Sequence, residues 1–309
     1  MHSTAQLNQT MPRILLNFDL NGTLILKDTS KKVDDQYMII SALAETTFAS
    51  WNGKQSTSFK QYVYTELLPG DKSNPHLKLE RQKTIGKFVE WLKKNQHPAL
   101  ESVEKTYRTI IDKFTDSKTG EINFMIFPSF YVMINQLRLN KIPFTIILRT
   151  FGSDLPEVME EIEKHPDGVK FSYQVKFDGP RLIVNGMRPV EKADEIFDLI
   201  LNSEKHFAIQ DDWKYWNQHK EQALYGKPFL YDLSGTRAKN LSLFFDDNIT
   251  GDEHLDIIHP CEISGHNIVT QALCDWLIFP VNTMEAMLDD NYFTNRVMKA
   301  LKLSELDKK

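Results

Sequence analysis

The segment Ile14-Leu15-Leu16-Asn17-Phe18-Asp19-Leu20-Asn21-Gly22-Thr23 restricts the possible folds of this chain more than any other. An apolar run of strand length stops at an acid, and Asn21-Gly22 follows at once. A short apolar run bounded by turn residues reads as a buried strand of a parallel sheet. Ligands of open α/β sheets bind beyond the carboxyl ends of such strands. Asp19 is thereby placed at the mouth of a site, with Gly22 permitting a tight loop behind it. A strand-end Asp also bonds the backbone of the next turn as a matter of routine, so this stretch alone leaves both readings open.

At 309 residues the chain is long enough for a large core and for two domains. A net charge of −5 gives no footing for general affinity to nucleic acid or acidic membranes. The two cysteines, Cys261 and Cys274, show neither metal-ligand spacing nor a pairing pattern, which fits a reducing compartment. No apolar run approaches the length of a membrane span. The leader from Met1 to Pro12 is polar, lacks an apolar signal core and reads as a frayed end. The cytoplasm is the expected location.

Further apolar runs repeat the opening pattern. Phe144 to Leu148 leads into Arg149-Thr150-Phe151-Gly152, Phe207 to Ile209 into Gln210-Asp211-Asp212, and Leu241 to Phe245 into Asp246-Asp247-Asn248. Helical periodicity separates them, over Ser129 to Asn140, from Pro156 to Pro166, and over Pro189 to Leu201. Trp213 to Leu224 reads as helix, and Gly226-Lys227-Pro228 breaks it. Phe171 to Phe177 and Arg181 to Val184 flank Asp178-Gly179-Pro180 and predict a β-hairpin. Residues 31–125 are mainly helical, with segments around Asp34 to Phe48, Phe59 to Leu67, Leu79 to Lys94 and Leu100 to Phe114. The polar stretch from Asp116 to Glu121 reads as a turn. From about Asn267 to Leu303 the tail is helix, interrupted at Pro280. The fold class is therefore α/β: a Rossmann-like parallel sheet core flanked by helices, with a mainly helical block inserted after the first strand. Its parts are 1–30, the first piece of the core; 31–125, the helical block; and 126–309, the rest of the core with a small hairpin near 171–184 and a helical tail.

Parallel strands share one carboxyl edge, so Asp19, Thr150, Asp246 and Asp247 converge there. Carboxylates brought together repel unless something positive sits between them. A hard cation with oxygen ligands is the natural answer, and Mg²⁺ is the usual partner of phosphate chemistry. A hydroxyl and a lysine would then hold the oxygens of a transferring phosphoryl group. Asp211-Asp212 is a further strand-end acid pair, read either as part of the site or as the N-terminus of a helix.

Taken in this order, Phe-Asp-Leu-Asn-Gly-Thr at 18–23, a strand ending in Thr150, a lysine, and a strand ending in Asp246-Asp247 resemble the haloacid dehalogenase-like hydrolase superfamily. The resemblance covers roughly residues 13–27 and 126–250. It implies that Asp19 is a nucleophile forming an aspartyl-phosphate, and that the Asn21 backbone carbonyl helps bind Mg²⁺. It also implies that Thr150 bonds the phosphoryl group and that Asp246 is an acidic metal ligand with Asp247 beside it. Arg149, Gly152 and Lys214 are further substrate-binding candidates. The lysine is Lys227, with Lys214 and Lys220 as competitors. Residues 31–125 fall where this superfamily inserts a mobile cap that covers the site and selects the substrate. The expected partner is a small phosphorylated molecule, with no nucleic acid and no membrane.

The pattern departs from the superfamily at Asn21, where its phosphatases carry a second Asp. That acid protonates the leaving group and then activates water, and an amide does neither at neutral pH. Two classes of function follow. One is a Mg²⁺-dependent phosphatase or phosphotransferase working through Asp19. The other is a catalytically impaired relative that binds a phosphorylated ligand or a protein. No Gly-x-Gly-x-x-Gly or Walker-type loop follows any predicted strand, which ranks other nucleotide-binding folds low.

Overall fold

The computed structural model describes residues 11–26, 35–53, 55–71, 74–115, 119–120, 126–184, 187–235, 237, 239–252, 254, 256–265 and 270–306. The leader up to Thr10, residues 27–34 at the expected first boundary, and most of the turn expected from Asp116 to Glu121 lie outside them. The architecture is α/β: a mostly parallel seven-stranded sheet flanked by helices. The strands are β1 (Arg13–Asp19), β2 (Phe48–Ala49), β3 (Thr57–Ser58), β4 (Phe144–Thr150), β5 (Phe171–Asp178), β6 (Arg181–Ile183), β7 (His206–Gln210), β8 (Lys227–Tyr231), β9 (Asn240–Asp246), β10 (Ile258–Glu262) and β11 (Ile278–Pro280). The main sheet runs β11-β9-β1-β4-β7-β5-β6, and only β6 is antiparallel to its neighbour. β1, β4 and β9 form its middle and are buried from their second residue to their last. Strands covered on both faces need apolar side chains on both, which is why these three read as near-continuous apolar runs.

The chain divides into two compact units. The first comprises residues 1–24, 126–282 and 289–309; the second comprises 25–125 together with 283–288. In the first unit β4 lies on one side of β1 and β9 on the other, so the strand order reverses at β1. Such a reversal opens a crevice at the carboxyl ends of the strands. Its helices are α6 (Pro128–Leu139), α7 (Leu155–Lys164), α8 (Ala193–Asn202), α9 (Trp213–Gln218), α10 (Thr270–Leu273) and α12 (Tyr292–Leu306). Phe18 makes ring contacts with Phe130 of α6, Phe293 of α12 and Phe245 of β9, which pins β1 one residue before Asp19.

The second unit holds α1 (Asp35–Thr46), α2 (Phe59–Tyr62), α3 (Pro75–Gly86), α4 (Phe88–Lys94), α5 (Leu100–Phe114) and α11 (Thr283–Leu288), with the short β2–β3 pair. The helix expected over Leu79 to Lys94 is two helices that meet at Lys87. Trp51 packs among Phe59, Phe88, Trp91 and His97 and forms an aromatic core. These aromatics pack against one another. Buried Arg81 donates to the carbonyls of Leu68 and Gly70, beyond the π-helical turn Val63–Leu67 that continues α2.

Three readings need correction. The break at Gly226-Lys227-Pro228 is the start of β8, which pairs in parallel with β10 in a separate sheet. The tail is not continuous helix up to Pro280: Ile278–Pro280 is the outermost strand, beside β9. Finally, the small hairpin expected near 171–184 does not stand apart from the core, because β5 pairs in parallel with β7 and extends the main sheet. Among the described residues no helix is long and apolar enough to cross a membrane.

Candidate phosphoryl-transfer and cation site

Asp19, Thr150 and Asp246 are the last residues of three adjacent parallel strands. The backbone then curls, with Thr23 N and Leu24 N both donating to Leu20 O, and Gly22 takes φ +83°. A Cβ at Gly22 would collide with the Asp247 carboxylate, so only glycine lets that carboxylate lie against the loop. The Thr23 hydroxyl accepts from Asp247 N at 3.0 Å and ties the loop to the end of β9.

Carboxylate oxygens of Asp19, Asp246 and Asp247 lie within 4.8 Å of one another. Lys227 stands among them: its Nζ donates to Asp19 Oδ1 at 2.5 Å and to Asp246 Oδ2 at 2.7 Å. All three of these side chains are buried. The other Asp246 oxygen accepts from Asn248 N at 2.9 Å. Burial pushes the Asp19 carboxyl up to about 7; Lys227 opposes the shift and Asp246 adds to it. Asp247 is likewise held well above the usual carboxylate range, by desolvation first and then by the charges of Asp19 and Asp246. Burial disfavours the Lys227 ammonium, but the carboxylates of Asp19, Asp246 and Asp211 outweigh it and raise its pKa. With all three carboxylates ionised, one ammonium would leave two negative charges uncancelled, the amount a divalent cation cancels. This all-oxygen donor set suits a hard cation.

Thr150 is buried, and its Oγ1 accepts from Gly152 N at 2.9 Å. The hydroxyl proton is thereby left to donate elsewhere. Asn21 Nδ2 donates to Asp154 Oδ2 at 3.2 Å, while Asn21 Oδ1 is buried without a partner among the described residues. Asp154 fixes this orientation, since a flipped amide would set two oxygens against each other. A Cβ on Gly152 would sit 2.9 Å from Asp154 Oδ2 and 3.3 Å from Thr150 Oγ1, so this loop too is built around a bare glycine.

The sequence candidates divide accordingly. Asp19, Asn21, Thr150, Gly152, Lys227, Asp246 and Asp247 gather at the ends of β1, β4 and β9. Arg149 turns away: its guanidinium pairs with Asp211 at 2.5 and 3.0 Å and donates to Pro228 O at 2.8 Å, fully buried. It serves the packing beneath the site. Lys214 and Lys220 are exposed, and no contact joins them to the carboxylates among the described residues. The acid pair splits: Asp211 is the partner of Arg149, and Asp212 caps α9 by accepting from Tyr215 N at 3.0 Å. Sequence reasoning missed Asp154, which reads simply as the acid before a helix-starting Leu-Pro. Cys261 lies 3.4 Å from His259 Nδ1, but burial pushes its thiol up to about 12, so the pair holds no thiolate nucleophile. Comparison with protein-family models, with curated proteins and with solved structures gave no match.

Proposed function

We propose that this chain is a Mg²⁺-dependent phosphoryl-transfer enzyme of the haloacid dehalogenase-like kind, acting on a small phosphorylated metabolite through an aspartyl-phosphate at Asp19. The observation that carries the reading is the buried Lys227 bridge between Asp19 and Asp246, at the point where the strand order reverses. In this reading Asp19, Asp246 and Asp247 hold the cation with the help of the Asn21 backbone. When bound, Mg²⁺ supplies the charge that keeps the carboxylates ionised and draws phosphoryl oxygens to them.

Asp19 Oδ attacks phosphorus, the bond from phosphorus to the leaving oxygen breaks, and that oxygen departs with the electron pair. Lys227 holds Asp19 in place and offsets the charge on the transferring group. Thr150 donates its free hydroxyl proton to a phosphoryl oxygen. Asn21 cannot protonate the leaving oxygen, so the site favours groups that depart as stable anions, such as aryl oxides, carboxylates or phosphates. Asp154, whose carboxylate meets the Asn21 amide, is placed beside the position the usual acid would occupy.

The test is incubation with Mg²⁺ and an aryl phosphate, followed by a search for a hydroxylamine-labile phosphate on Asp19. Wild type is expected to release aryl alcohol or to retain label, and Asp19→Asn to do neither. Two equally inert, unlabelled proteins would overturn the reading. The Asn21 amide favours one alternative, a catalytically impaired relative that binds a phosphorylated ligand or a protein partner. It predicts cation-dependent binding of an aryl phosphate without turnover or label.

A further inference from the structure

A second concavity opens on the same unit, beside the loop that follows β4. A cavity of about 240 Å³ is lined by Leu155, Gln174, Val175, Lys176, Ile183 and Gln210. Strand alternation sends Val175 and Phe177 into the core and turns Gln174 and Lys176 to the opposite face of β5. An edge hairpin in water would show the same alternation. Two features set this one apart: Leu155, at the start of α7, forms part of its wall, and Gln210 Nε2 donates to Gly152 O at 3.0 Å. Gly152 N in turn donates to Thr150 Oγ1. The cavity wall and the phosphoryl-holding hydroxyl are thus joined through one residue.

Register fixes the distance. Lys176 pairs with Gln210, and Gln210 pairs with Thr150. Two strand spacings of about 4.8 Å put the Lys176 and Thr150 backbones roughly 10 Å apart. An anion at Lys176 and a phosphoryl group at Thr150 would then lie on the order of 10 Å apart. Asp178, two residues along the same face, pairs with Arg181 and leaves Lys176 uncompensated. Lys176 has no ion-pair partner among the described residues.

We propose that this cavity receives the non-reacting end of the substrate, and that this end bears a second acidic group. Lys176 supplies the countercharge, and the side-chain amides of Gln174 and Gln210 supply hydrogen bonds. The inference rests on the phosphoryl-transfer reading and deepens it: the substrate is a phosphate ester with a carboxylate or a second phosphate at the far end of a short chain.

The test is calorimetric titration of the full chain carrying Asp19→Asn, in Mg²⁺, with matched pairs of probes. 6-Phosphogluconate and glucitol 6-phosphate share phosphate, carbon count and an open chain, and differ in a terminal carboxylate. Fructose 1,6-bisphosphate and fructose 6-phosphate differ in a second phosphate. The acidic member of at least one pair is expected to bind about tenfold tighter, the effect of one charge-assisted hydrogen bond. Which pair shows the difference identifies the acidic group. Lys176→Ala should reduce that ratio to within about twofold, and Lys176→Arg should preserve it. Equal affinities within both pairs, a preference that survives Lys176→Ala, or no binding of any probe would overturn the subsite. A failure of the underlying reading looks different: Asp19 in the wild-type chain is never phosphorylated, whatever Lys176 does to binding.

Discussion

Lys227 neutralises buried charge that nothing else among the described side chains of the cluster can neutralise. Removing one partner of a buried ion pair leaves the other uncompensated and costs about 3–5 kcal/mol. Lys227→Met is therefore expected to lower stability by about that amount in chelator, and Mg²⁺ should restore part of it. Urea denaturation with and without Mg²⁺ checks both effects; unchanged stability would show that the carboxylates do not depend on the lysine. Asn21 makes a chemical prediction. Asn21→Asp returns an acid to the position beside Asp154 and is expected to raise hydrolysis of an alkyl phosphate by about a hundredfold or more. No rise in steady-state turnover, with the circular dichroism spectrum intact, would remove Asn21 from the acid position. At this scale the sequence revealed the types and order of the clustered residues but not their partners. Asp19, Thr150 and Asp246 were legible because each ends a long apolar run. Lys227 was favoured over Lys214 and Lys220 without being decided, because separation along a chain does not report which side chain faces inward. Arg149 and Asp211 were misleading for the same reason. Both are strand-end polar residues, and they are spent on each other at 2.5 Å.

Among the elements, β1, β4 and β9 were legible because burial on both faces forces continuous apolar runs. β8 was not: it starts with Lys227-Pro228, which carries the sequence mark of a turn, and it alternates buried and half-buried residues in a two-stranded sheet. β11 has three residues, too few for any periodicity to register. The junction of β4 and β7 carries a pH prediction. His206 Nδ1 accepts from Ile146 N at 2.9 Å, so protonating it breaks a bond between the two strands. Burial, with help from Arg138 and Arg13, pushes this imidazole down to about 4 from its usual 6.5. Between those values the unfolded chain binds a proton that the folded chain does not. Stability is therefore full above about 6.5 and falls as the pH drops toward 4, by on the order of 2 kcal/mol. His206→Asn keeps an acceptor and removes the titration. Its urea midpoint should fall less than the wild type's between pH 7 and pH 5, with Mg²⁺ present in both; identical falls would exclude His206 as the cause.

For the whole molecule, the proposed cation site would link stability to pH. The Asp19 carboxyl is raised to about 7 from 3.8, so without a cation the folded chain binds more protons than the unfolded chain across that window. Its contribution to metal-free stability accordingly falls as pH rises from about 4 to 7. Under the proposed function, Mg²⁺ would compete with those protons. The melting-temperature difference between Mg²⁺ and chelator should thus widen from pH 5 to pH 8; a difference that is flat or narrows would count against cation binding at these carboxylates. The division of the chain has a consequence of another kind. α11, at Thr283–Leu288, belongs to the second unit, where Met284, Ala286 and Met287 are buried and Leu288 O accepts from Lys113 Nζ at 3.0 Å. During synthesis that helix leaves the ribosome roughly 160 residues after residue 125, a delay of some 8–30 seconds at about 5–20 residues per second. For that interval the nascent unit lacks its closing piece, and the apolar groups awaiting those methionines stay open to chaperones or to neighbouring chains.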